Sequence, residues 1–179
     1  MNITLIMGIQ GSGKSTMAHQ LQKDFGYIHV CTGDLLRKHI AEGTEFGKSY
    51  QAAYNRGEMA PSEVTCGIIG DAFYGYTDEH IILDGFPRND EQLKWLDDRY
   101  RVVKCILLVL PVDVAMERLF TRKRTDDTEA SITKRFELYR EHTEPIIAHY
   151  SKIDKLIMLD GNHSIDEVFN NVADALSAL

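Results

Sequence analysis

The chain has 179 residues, 44% of them hydrophobic, and a net charge of −7. That length fits one domain, with a sizeable core and room for small inserted lobes. The acidic balance excludes a nucleic-acid or membrane-surface role for the molecule as a whole.

The first predicted element is a strand over residues 3–7 (Ile-Thr-Leu-Ile-Met). Gly8 interrupts this apolar run far too early for a signal peptide. A predicted helix over 14–25 follows and ends at Gly26, a residue suited to a C-terminal cap. Residues 27–31 form a second short apolar strand. From 32 to 76 the pattern is almost wholly helical and reads as a lobe inserted between the second and third strands. The third strand, 80–83, runs into Asp84. A helix over 89–99 carries Leu93, Trp95 and Leu96, and a strand is predicted over 102–110. Pro111 then precedes a helix over 112–120. A long helix over 131–150 is expected to be disturbed at Pro145, which removes a backbone donor. A strand over 155–159 and a helix over 166–179 close the chain.

Short, continuously apolar strands alternating with helices imply a three-layer α/β fold. Its strands would form a central parallel five-stranded sheet buried on both faces. No apolar stretch approaches the length that spans a bilayer. Cys31, Cys66 and Cys105 are widely separated and form no C-x-x-C pair, so neither a disulfide framework nor a zinc site is expected. Each cysteine reads as a small core residue in a cytoplasmic protein. The seven histidines show no metal-ligand spacing, and none is assigned a catalytic role.

Chemistry concentrates at three places. Gly8-Ile9-Gln10-Gly11-Ser12-Gly13-Lys14-Ser15-Thr16 is a G-x-x-x-x-G-K-S loop between a strand and a helix. In that context the glycines let the backbone wrap a polyphosphate, and loop N–H groups with the helix N-terminus bind its oxygens. Lys14 would reach the β- and γ-phosphates, and the Ser15 hydroxyl would face a magnesium ion. Asp84, at the carboxyl end of a strand beside such a loop, would hold the same ion directly or through water. Finally, Arg118, Arg122, Lys123, Arg124, Lys134, Arg135 and Arg140 place seven of the chain's 20 basic residues within one short stretch. Such a cluster can be solvated helix surface paired with Asp126, Asp127 and Glu129. In an acidic chain with a phosphate loop it reads as a clamp on a transferring phosphoryl group, for which the arginine fork is suited.

Together with the loop, three further segments resemble the successive signatures of the adenylate kinase family. They are Cys31-Thr32-Gly33-Asp34-Leu35-Leu36-Arg37, Gly57-Glu58-Met59-Ala60-Pro61 and Leu83-Asp84-Gly85-Phe86-Pro87-Arg88. The tail Arg118, Arg122, Arg124 and Arg135 belongs to the same set. The pieces stand in the family's order and cover essentially the whole chain. The resemblance implies a single P-loop kinase domain (1–179) that moves the γ-phosphoryl of ATP to AMP, giving two ADP. It implies a monophosphate-binding lobe (32–76) and a reduced, zinc-free lid (121–130).

Residue by residue, it implies that Gly8, Gly11, Ser12, Gly13, Lys14, Ser15 and Thr16 hold the ATP phosphates, with Mg2+ at Ser15 and Asp84. Arg118 would pack on the ATP base. Arg37 and Arg88 would grip the acceptor phosphate, with Met59 and Gly85 beside it and Thr32 and Gln92 on the acceptor base. Arg122, Arg124 and Arg135 would stabilise the group in flight. The partners implied are small-molecule nucleotides acting on a cytoplasmic monomer, with no nucleic acid and no membrane.

The chain departs from the pattern at Gln10, where the family has proline, and at Ser15, where it has glycine. Asn89 replaces the usual threonine and resembles UMP/CMP kinases. Only Lys123 separates Arg122 from Arg124, so the lid is shorter than in other short-lid relatives. Two other readings stay open. One is a UMP/CMP-directed or broad-specificity kinase. The other is a nucleotide-binding regulatory module or slow ATPase, against which the complete arginine set speaks.

Overall fold

The computed structural model describes residues 1–122, 124 and 126–177. Five strands, β1 (Asn2–Met7), β2 (Ile28–Cys31), β3 (His80–Asp84), β4 (Arg101–Val109) and β5 (Leu156–Asp160), form one sheet in the order β2-β3-β1-β4-β5. Every pairing is parallel. All five carboxyl ends therefore reach the same rim, where Asp84 stands in register with Ile6 on one side and Cys31 on the other.

The sheet is buried on both faces because alternate strand residues feed two cores. Ile3, Leu5 and Met7 face α4 (Ser62–Phe73), α5 (Asp90–Asp97) and α8 (Glu144–Lys152), with Ile81, Leu83, Phe86, Ile146 and Tyr150. Ile6 faces α1 (Lys14–Phe25) and α9 (Ile165–Ser177), with Met17, Leu21, Ile82, Ile106 and Val172. Each fully buried aliphatic of this set contributes about 1.5–3 kcal/mol.

Two smaller clusters lie outside the sheet. One joins α6 (Val112–Arg122) to α7 (Glu129–Leu138) through Ala115, Leu119, Ile132 and Phe136. The other lies among α2 (Thr32–Ala41), α3 (Glu45–Asn55) and the turn after it, through Leu36, Tyr50 and Ala60. The segment inserted between β2 and β3 thus has apolar packing of its own.

The long helix expected over 131–150 is in fact three pieces. α7 starts earlier, where Thr128 and Ser131 form a reciprocal cap. A π-helical turn, Tyr139–Thr143, then separates it from α8, whose first turn contains Pro145. Proline has no N–H and its ring crowds the carbonyl four residues back, so the break falls in the turn before it. Gly26 caps α1 in the left-handed conformation as expected. No helix among the described residues is long and apolar enough to cross a membrane.

Candidate active site

A cleft of about 480 Å³ opens over the carboxyl rim of the sheet. Its floor is the loop from Gly8 to Gly13, which joins β1 to α1. The tightness of the loop depends on glycine. At Gly11 the backbone has φ +85°, and a side chain would meet the Ala115 carbonyl at 2.7 Å. α1 begins without a side-chain cap, which leaves its first-turn N–H groups to the cleft. Together these features make an anion cradle.

Lys14, Ser15 and Thr16 line this floor. The Lys14 ammonium donates to the Gly8 and Ile9 carbonyls, both at 2.8 Å. Burial lowers its pKa from 10.5 to about 8, against the pull of Asp84. The Ser15 hydroxyl donates to Asp84 Oδ2 at 2.5 Å. Burial alone would raise the Asp84 carboxyl. The His29 imidazole, the Lys14 charge and the Ser15 hydroxyl outweigh it and hold the group at about 2. A fixed carboxylate beside a hydroxyl is a hard-oxygen set of the kind that suits magnesium.

The inserted lobe brings Gly33, Arg37, Tyr54 and Met59 to one wall of the cleft, and Gly85 and Arg88 close it beside β3. Arg37 donates to the Tyr54 hydroxyl at 2.9 Å and pairs with Asp34. Arg88 Nε donates to the Gly85 carbonyl at 2.8 Å. Its backbone N–H is held by Gln92 Oε1, also at 2.8 Å.

Arg118, Arg122, Arg124 and Arg135 line the other wall. Arg118 donates to the Gly161 carbonyl at 3.2 Å. Arg122 makes a two-pronged contact with Asp127, at 2.8 and 2.9 Å. Arg135 reaches Asp126 at 2.8 Å and Asp127 at 3.2 Å. Its guanidinium also lies over the Tyr54 ring, 5.4 Å from the centroid. The lobe docks closely here, because a side chain on Gly57 would meet the Ser131 carbonyl at 2.4 Å.

Most of the residues nominated from sequence therefore meet around one cleft. Thr32 and Gln92 do not form part of its lining. Each is only 2% exposed. The Thr32 hydroxyl donates to the Asp84 carbonyl, and the Gln92 oxygen is taken by Arg88. Their expected contact with an acceptor base is neither supported nor excluded by this burial; among the described residues the Gln92 amide nitrogen has no protein partner. Asn89, whose identity hinted at pyrimidine acceptors, caps α5 by accepting from the Gln92 N–H at 3.0 Å and donates to Ser62 at 2.9 Å. Its local role explains an asparagine there without reference to any base.

The proposed pairing of the arginines with acidic neighbours also holds for Asp126 and Asp127. Lys123, part of the basic cluster and of the expected lid, lies outside the described residues. Cys31 corrects another expectation. It is only partly buried and lines the cleft, and burial pushes its thiol up to about 12.

Sequence reasoning missed Tyr54, Gly161 and His163 in the lining. It also missed the grouping of His29, Cys31 and Asp84. Only the last had a signal, since residues two apart on a strand share a face.

The family profile described as "Adenylate kinase" matches residues 6–155. The chain is similar to Adenylate kinase 1 of a Synechocystis species, 38% identical over 175 residues, covering 94% of this chain and 93% of that one. It is 35% identical over 181 residues to an adenylate kinase of Prochlorococcus marinus, covering 98% and 99% respectively. UMP-CMP kinase 2 of Caenorhabditis elegans is 34% identical over 185 residues, covering 99% and 97%.

Proposed function

Because this chain belongs to the adenylate kinase family, we infer that it is a phosphotransferase carrying the γ-phosphoryl of ATP to AMP and releasing two ADP. One observation carries the reading. The phosphate loop is faced across a single cleft by two separate groups of arginines, Arg37 and Arg88 on one wall and Arg118, Arg122, Arg124 and Arg135 on the other. A protein that only binds or hydrolyses ATP has no use for the first group.

On this reading the loop amides and Lys14 hold the donor phosphates. The Arg118 side, with Gly161 and His163, receives the ATP base. Arg37 and Arg88 grip the acceptor phosphate, with Met59 and Gly85 beside it. Gln92 fixes the Arg88 backbone and offers its amide nitrogen to the acceptor base. Arg122, Arg124 and Arg135 compensate charge on the equatorial oxygens of the group in flight. Arg122 and Arg135 are held ready by Asp126 and Asp127, so little side-chain freedom remains to be lost on binding. The acceptor phosphate is already an anion, so no general base is required.

Asp84 and Ser15 are the residues that would hold magnesium. When bound, the ion supplies charge neutralisation on the phosphate oxygens. The inserted helices are the monophosphate lobe, and the short connection from α6 to α7 is the reduced lid. The protein is read as a monomer working on free nucleotides in the cytoplasm, and its three free thiols support the compartment.

The test is diphosphate formation from ATP with each monophosphate in turn. AMP is expected to be the best acceptor, with UMP and CMP roughly tenfold or more worse in kcat/KM, a gap of about 1.4 kcal/mol. A preference for UMP or CMP would overturn the adenylate reading and leave the kinase reading. ATP consumption without any diphosphate from the acceptor would overturn both.

A further inference from the structure

His29 and Cys31 are alternate residues of β2 and so project from the same face of the strand. The parallel register sets Cys31 opposite Asp84. The imidazole, thiol and carboxylate donor atoms consequently all lie within 4.8 Å of one another. The His29 side chain is only 5% exposed, and among the described residues its Nε2 has no hydrogen-bond partner. It stands 3.5 Å from Asp84 Oδ2, too far for that contact to satisfy the nitrogen. A buried polar atom left this way is unfavourable unless a ligand meets it. Neither side chain is among those proposed to contact a nucleotide.

We propose that His29, Cys31 and Asp84 form a binding site for a thiophilic divalent cation of the zinc class, distinct in chemistry from the magnesium site it adjoins. One imidazole nitrogen, one sulfur and one carboxylate oxygen match zinc, whereas magnesium takes oxygen alone. Bonds of about 2.0–2.3 Å in a tetrahedral arrangement place donors roughly 3.3–3.8 Å apart. The three side chains therefore close by about 1 Å through their own torsions. On binding, the Cys31 S–H bond breaks, its proton leaves to solvent and the sulfur bonds the metal. His29 binds as the neutral ring through Nε2. Thiolate and carboxylate together balance the dication, and a water completes the coordination from the cleft side. Such an ion withdraws Asp84 from the nucleotide site, so zinc-class metals inhibit the enzyme. That last consequence rests on the kinase reading; the binding site does not.

The experiment is a titration of the nucleotide-free protein with Co2+, followed by absorption. One Co2+ per chain is expected, with a thiolate-to-metal charge-transfer band that Zn2+ displaces. The band should be lost in Cys31→Ser, a nearly isosteric change, and kept in Cys66→Ser. In His29→Gln, checked for folding by circular dichroism, affinity should fall roughly tenfold or more. In parallel, Zn2+ should inhibit turnover with Mg-ATP in the unmodified protein. Measured against its own zinc-free turnover, Cys31→Ser should need roughly tenfold more zinc for the same fractional inhibition. Absence of the band at saturating Co2+, its persistence in Cys31→Ser, or equal zinc sensitivity in that variant would overturn the proposal. An unmodified protein that shows the band but transfers no phosphoryl group would keep the metal site and sink the kinase reading.

Discussion

Replacing Lys14 with methionine should stabilise the protein while destroying its activity. The ammonium is partly buried at the floor of the cleft, and its pKa falls from 10.5 to about 8. That difference corresponds to about 3 kcal/mol of disfavoured burial of charge at neutral pH. Methionine fills similar space without the charge. The Gly8 and Ile9 carbonyls lose a donor but face an open cleft where water replaces it, a loss of about 1 kcal/mol. The net gain at pH 7 is about 2 kcal/mol, or roughly 4–8 °C in melting temperature for a chain of this size.

The pH dependence is more diagnostic than the gain itself. Between pH 8 and 10.5 the unfolded chain holds a proton at Lys14 that the folded chain does not. Unmodified protein should therefore gain stability relative to the variant as pH rises through that window. By pH 9 the charge contribution shrinks to about 2 kcal/mol, so the variant's advantage falls by about 1.4 kcal/mol from its value at pH 7. Urea unfolding of both proteins at the two pH values measures this directly, and the coupled assay should show no phosphoryl transfer by the variant. An advantage that is the same at both pH values, or no advantage at pH 7, would refute the buried charge. Near-normal turnover would refute the phosphate role of Lys14.

Two further outcomes follow from the acceptor wall. Arg88→Ala removes a charge-assisted phosphate contact and should weaken AMP use by on the order of 1.5–3 kcal/mol. Calorimetric titration with ATP should stay nearly unchanged, and an equal loss of ATP affinity would contradict the division of the cleft. Gln92→Asn withdraws the amide by one methylene. Its AMP preference over UMP and CMP, measured as kcat/KM ratios, should narrow. An equal loss with all three acceptors would leave Gln92 as nothing more than the support of the Arg88 backbone.

The strand–helix alternation and the phosphate loop were legible because each is a local pattern: apolar runs of five or so residues, glycines at fixed offsets, a carboxylate at a strand end. The inserted lobe showed itself as a helical interval that broke the alternation. What was not legible depends on pairing across distance. Strand order sets Cys31 beside Asp84, 53 positions away, and the sequence carries no mark of that register. Tyr54 reads as one aromatic in a helix, and only docking against α7 puts its ring under Arg135 and its hydroxyl on Arg37. Gln92 shows a related limit. Its side-chain oxygen is taken by the backbone of a neighbour four residues back, which its identity alone does not reveal. The π-helical turn illustrates the opposite case, in which Pro145 predicted a disturbance but not which turn would absorb it.

The uniform direction of the strands also decides where the molecule can be handled. Every residue proposed to touch nucleotide lies around one rim of the sheet. The other rim carries Asn2, Ile28, His80, Arg101 and Leu156, the strand starts. β1 alone separates Asn2 from the phosphate loop by roughly 20 Å at about 3.3 Å per residue. Exposed Tyr74 and the turn at Asp154, with φ +53°, belong to that remote side. A fluorophore, a surface tether or a fused reporter attached there rides on the rigid sheet without obstructing the mouth of the cleft.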